Sequence, residues 1–142
     1  MAITQAVANS FKTEVLTAVH NFTVTTGDTF KIALFTSSAT LSKSTTAYSA
    51  TNEVSGTGYS SGGNTLTSVT PVLSTDTAVC DFADSSWTTA TITARGALIY
   101  NSSQSDKAVV VLDFGGDKTS TAGTFTIQFP AADASNAILR LA

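Results

Sequence analysis

From Thr29 onward the apolar residues of this chain recur at every second position, and that period of two restricts what it can build. Phe30, Ile32 and Leu34 alternate with Lys31, Ala33 and Phe35, which predicts a first strand. Phe125, Ile127 and Phe129 alternate with Thr126 and Gln128, the pattern of a sheet with one wet face. Val109, Val110, Val111 and Leu112 are apolar on both faces and predict a central strand within 108–114. Further strands are expected at 66–69, 78–82, 89–100, 125–129 and 138–141. Breaks fall at Ser102-Ser103, at Gly115-Gly116-Asp117 and at Pro130. Gly96, inside the longest of these runs, marks a bulge or a close backbone approach. Strands joined in sequence by short turns favour antiparallel pairing. The expected fold is therefore mainly β, an antiparallel β-sandwich or rolled sheet.

Only the N-terminus departs from this period. Ile3, Val7, Phe11, Val15, Ala18 and Phe22 recur at spacings of four and three, which predicts one amphipathic helix over 3–22. A residue near Thr4 would cap it, and the stretch from Thr23 to Gly27-Asp28 would end it. The chain of 142 residues is then one domain, helix 3–22 followed by a β domain over 29–142. Within it, 37–65 is a polar segment poor in bulky apolar residues. A loop of that length is uncommon in a compact domain and is usually functional or ordered by a partner.

Composition narrows function. Charged residues are 12% of the chain, about half the usual ~25%, and Ser and Thr, roughly 30% of the chain, take their place. Such a surface can be buried against copies of itself or another protein with few ions to desolvate. The net charge is −3 and the seven Lys and Arg residues are scattered singly, which argues against nucleic acid as a partner. No apolar run is long enough to span a membrane as a helix, and the N-terminus lacks the pattern of a signal peptide. The glycosylation patterns at Asn21 and Asn101 carry no meaning without secretion. The single Cys80 excludes an internal disulfide framework.

Several motifs invite a catalytic or ligand-binding reading. Gly58-Tyr59-Ser60-Ser61-Gly62 fits G-x-S-x-G, the elbow that presents a serine nucleophile. An elbow needs a hydrophobic strand before it and a helix after it, and neither flank fits. The one histidine, His20, falls nearer the polar side of the predicted helix, where it would face solvent or an interface. Ser60 is therefore not expected to be a nucleophile, and the stretch reads as flexible chain. Gly115-Gly116-Asp117-Lys118-Thr119 resembles the end of a phosphate loop, but Asp117 and Leu112 stand where glycines are required, so a turn between strands is expected. One His and one Cys cannot assemble a zinc site. Asp76, Asp81, Asp84, Asp113 and Asp117 match no calcium loop and read as turn and cap residues. Tyr48, Tyr59, Tyr100 and Trp87 could stack on sugars or bases, though core and interface anchoring is their commoner use. No catalytic, cofactor-binding or metal-ligating residue is expected.

Two segments carry a resemblance. Residues 33–66, "ALFTSSATLSKSTTAYSATNEVSGTGYSSGGNTL", and residues 94–130, "ARGALIYNSSQSDKAVVVLDFGGDKTSTAGTFTIQFP", are similar to segments of small virion proteins of tailed bacteriophages. The resemblance implies a structural component of the virion, without enzyme activity or cofactor. Composition then favours a capsid cement or decoration protein, with the major capsid protein and copies of itself as partners and a homo-oligomer as the default state. The helix face and the 37–65 segment are the expected contacts. The alternatives are a tail or head-to-tail component forming a ring, and a host-adhesion module using Tyr48, Tyr59 or Trp87.

Overall fold

A computed structural model describes residues 2–142. The chain is mainly β, with two antiparallel sheets and one short helix in a β-sandwich-like arrangement. Its elements in order are β1 (Ala6–Val7), α1 (Asn9–Leu16), β2 (Phe30–Phe35), β3 (Asn64–Thr65), β4 (Ser68–Ser74), β5 (Thr77–Phe82), β6 (Ser85–Asn101), β7 (Lys107–Ile127) and β8 (Leu139–Leu141). The large sheet runs β1-β7-β6-β2-β3 and the small one β4-β5-β8. As the two-faced apolar run at 109–112 requires, β7 lies inside the large sheet between β1 and β6. Pro71, which cannot donate to a ladder, sits in β4, an edge strand with a register shift between Val69 and Val72.

The core lies against the half of the large sheet where β2, 96–101 of β6 and 108–112 of β7 run side by side, buried on both faces. Phe30, Ile32, Leu34, Leu98 and Val111 are fully inaccessible. Phe22 stacks on Phe30 with centroids 4.3 Å apart, and Phe82 brings the small sheet onto the same cluster. Gly96 is needed here because a Cβ would lie 2.5 Å from the Leu112 carbonyl oxygen and 2.9 Å from the Ile3 side chain. Beyond this body, 85–94 of β6 and 118–127 of β7 continue as a two-stranded ribbon.

Four expectations need correction. The helix covers Asn9–Leu16, not 3–22. Ala6 and Val7 pair with Val111 and Val110, and Ile3 bridges Leu41. The open edge of the central strand offers backbone partners that an uncapped first turn lacks, since Ala8 makes no side-chain cap. At the other end Thr17 Oγ1 bonds back to the Glu14 carbonyl, and the β-branched residues that follow are poor helix formers. Gly115-Gly116-Asp117 does not separate two strands either: β7 passes through it, with a register shift that leaves 114–117 bulged opposite Arg95. Gly115 takes φ +79°, and its N–H bonds to Asp113 Oδ1 at 2.9 Å.

The 37–65 segment packs on the large sheet within the single chain. Ala39, Leu41 and Val54 are buried, Val54 N–H bonds to the Leu34 carbonyl and Phe35 bridges Glu53. Its end forms β3 on β2, where Gly63, at φ +73°, lies so close that a Cβ would sit 1.8 Å from the Ile32 carbonyl oxygen. Finally, His20 is buried, not solvent-facing. The shortened helix lets the chain turn back at Ala18 (φ +61°) and drive His20 and Phe22 inward beside Phe11.

Candidate functional site

Two polar centres stand out, and both hold the fold together. The first surrounds Glu53. Its Oε1 accepts the Tyr59 hydroxyl at 2.6 Å and the Gly62 N–H at 2.8 Å, while Oε2 accepts the Tyr48 hydroxyl at 2.7 Å and Ser61 Oγ at 2.9 Å. Tyr59 Oη also accepts the Leu34 N–H at 2.9 Å. Tyr100 donates to the Gly62 carbonyl at 2.7 Å and stacks on Tyr48 at 4.6 Å, and Tyr59 stacks on Trp87 at 5.9 Å. Burial, helped by the Glu53 carboxylate, pushes the Tyr59 phenol far above its ordinary value. Burial likewise raises Tyr48 and Tyr100. A carboxylate with four donors has no lone pair left for a substrate, and phenols raised in this way are poor proton donors near neutrality. The cluster is a clamp that closes the 53–62 loop onto β2 and β6.

The second centre surrounds His20. Its Nε2 lies 3.0 Å from Glu14 Oε1, and its Nδ1 lies 3.0 Å from Asn101 Nδ2. Asn101 Nδ2 can only donate, so Nδ1 is the acceptor and Nε2 carries the proton toward Glu14. Asn101 also donates to Asp28 Oδ2 at 2.8 Å, and Lys107 Nζ lies 3.3 Å from Glu14 Oε2. Burial opposes ionisation of Glu14 and Asp28. The hydrogen bonds from His20 and Lys107 to the first, and from Asn101, the Asn21 N–H and Gln104 to the second, outweigh it and hold both carboxyls below the usual range. Histidine, carboxylate and amide come together here, but no serine or cysteine stands against either ring nitrogen among the described residues.

The motif residues are scattered. Ser60 is exposed, and its carbonyl accepts the Gly63 N–H in a turn. Both nitrogens of the one histidine are committed to Glu14 and Asn101, so Ser60 has no imidazole base. Asp113 pairs with Arg95 at 3.2 Å, Asp84 accepts the Phe129 N–H at 2.8 Å, Asp76 and Asp117 are exposed, and Asp81 is buried. Among the described residues no three His, Cys, Asp or Glu side chains converge on a metal-sized space. Trp87 is buried between Tyr59 and Phe125. A concavity of about 460 Å³ runs as an open trough along β7, lined by Phe114, Lys118, Phe125, Ile127 and Gln128, with Lys118 as its one titratable group.

Glu53 and Glu14 had no place in the sequence expectations, and Asn101 and Asp28 entered them only as a glycosylation pattern and part of a helix stop. One signal was present for the first. Glu53 is the only charged residue between Lys43 and Asp76, and in a stretch this poor in charge a lone carboxylate flanked by Tyr48 and Tyr59 marks a hydrogen-bond hub. These features define a mainly β protein in which the side chains of Glu53 and His20 are bonded within its own fold. No protein-family model, curated protein or solved structure matches the chain.

Proposed function

We propose that this chain is a structural protein of a tailed-phage virion, a cement or decoration subunit that stabilises the head by protein–protein contacts. The observation that carries this reading is the β6–β7 ribbon, whose exposed side chains are nearly all hydroxyls: Thr88, Thr91, Thr93, Thr119, Thr124 and Thr126. Two cross-strand pairs, Thr93–Thr119 at 3.0 Å and Ser86–Thr126 at 2.9 Å, hold four of the ribbon's hydroxyls in fixed positions. A surface of this kind is covered by another protein with little ion desolvation, and a repeated shell multiplies each weak contact. Binding the assembled shell and not its free subunits stabilises the shell by mass action.

The contact surface in this reading differs from the one expected from sequence. Phe11 and Phe22 face the protein's own core, and 37–65 is occupied with β2 and the Glu53 clamp. The ribbon takes their place. The test is the copy number of the chain in purified virions, by quantitative mass spectrometry against the major capsid protein. Copies on the order of hundreds support a shell subunit, whereas about a dozen would assign it to a tail or neck ring. Absence from virions would end the structural reading. Shell binding by Thr93→Glu with Thr119→Glu should fall at least ~10-fold with the fold unchanged, through two desolvated charges.

A further inference from the structure

Among the described residues one buried carboxyl is used by neither polar centre. Asp81 lies at the end of β5, one residue before Phe82 and three before Asp84, where the chain leaves the small sheet and enters the large one. It is 2% exposed, and its Oδ1 accepts the N–H of Phe82 at 2.8 Å. Its Oδ2 is buried without a hydrogen-bond partner. In strand register Asp81 sits opposite Val69 of β4, whose side chain supplies no donor, and its side chain points away from the face that carries Cys80 and Phe82 into the core.

An ionised carboxylate in that position leaves a charged oxygen buried and unpaired, which folded proteins avoid by protonation or by recruiting a cation. The groups around it make the choice. Asp84, in the corner itself, is a second carboxylate, and Cys80 beside Asp81 is a thiol. On β8, Arg140 commits its Nη1 to the carbonyl oxygens of Ala134 and Ser135. Asp133, in the adjoining segment, is held by Asn136 and the Ser135 N–H. No cationic side chain reaches Asp81 among the described residues, and no third ligand is present to fix a metal ion.

We propose that Asp81 is a proton-operated latch at the corner between the two sheets: protonated, it is tolerated in its buried place on the face of β5 opposite Cys80 and Phe82, and ionised, it works to loosen β5 and the corner that leads into β6. Burial, with Asp84 adding to it, raises the Asp81 carboxyl above its ordinary range, the direction the latch requires. The sign follows. A carboxyl that holds its proton more tightly when folded contributes stability below its unfolded pKa, about 3.9, and that contribution is lost as pH rises through the folded value.

The experiment is thermal unfolding of the full chain between about pH 4.5 and 7.5, for the wild type, Asp81→Asn and Asp84→Asn. Tm of the wild type should fall by about 3 °C or more over this range relative to Asp81→Asn, and Asp84→Asn should show a smaller fall than the wild type. His20 is present in all three, so the difference isolates the corner. Equal slopes in wild type and Asp81→Asn would overturn the proposal. Should Asp81→Asn fail to fold, the ¹³Cγ shift of Asp81 in the wild type decides: titration above the ordinary carboxylate range supports the latch, and titration at or below it sinks it. Calcium or magnesium at millimolar concentration should leave Tm at pH 7.5 unchanged. A rise seen in the wild type and lost in Asp81→Asn would replace the proton with a metal ion.

Discussion

Glu53 concentrates four donors onto one side chain, so single-atom changes there separate charge from shape. Glu53→Ala strands the Tyr59 hydroxyl and the Gly62 N–H and should destabilise by about 3 kcal/mol in urea unfolding. Glu53→Gln keeps an acceptor for those two and turns a donor toward Tyr48 and Ser61, whose hydroxyls can accept it. Its cost should be nearer ~1 kcal/mol. Equal losses for the two would mean that the carboxylate charge, and not the hydrogen-bond count, holds the loop. Cys80 offers a simpler check. It is 9% exposed, and burial together with Asp81 pushes its thiol up to about 12. A thiol reagent at neutral pH should therefore modify it only at the rate of unfolding.

At the scale of elements, the closest backbone approach is β3 on β2. Gly63→Ala would place a methyl against the Ile32 carbonyl at a positive φ, and should cost at least ~2 kcal/mol while releasing the Lys31–Thr65 and Ile32–Asn64 pairs. Amide exchange that speeds up in β3 alone, with β6 and β7 unchanged, is the expected pattern. The same element shows why 37–65 was illegible. Its composition is that of flexible chain, yet Ala39, Leu41 and Val54 are buried without a sustained helix or strand period. Limited proteolysis of the free protein should cut this segment no faster than the global unfolding rate. Rapid cleavage between Ser42 and Ser60 would contradict the packing.

For the whole molecule, acid sensitivity follows from the carboxyls that tie α1 and the 17–28 turn to the large sheet. Glu14 and Asp28 are held below their ordinary values by their hydrogen-bond partners, against the opposing effect of burial. Each contributes stability above the unfolded carboxylate pKa, about 4, which is lost as pH falls through the folded value. Unfolding free energy should therefore drop below about pH 4, and less steeply in Asp28→Asn, as read by denaturant melts across pH. The Asp81 latch slopes the other way, so the stability maximum should lie at mildly acidic pH.

The strand period from Thr29 onward and the central place of 109–112 were legible in the sequence, because alternation is a local property. The phage-virion reading also rests on sequence, through composition and resemblance, and awaits the virion measurement. Helix length was not legible, because the competitors were distant backbone partners, Leu41 for Ile3 and Thr4 and the open edge of β7, over one hundred positions away, for 6–8. Nor was the fate of Gly115-Gly116-Asp117, where pairing of Ala94 with Lys118 and of Gly96 with Asp113 carries one strand across a turn-like stretch. His20 and Asp81 became buried, and Glu53 half-buried, for the same reason. Whether a polar side chain is solvated, bonded or stranded depends on which distant segments arrive around it, and only the tertiary structure decides that.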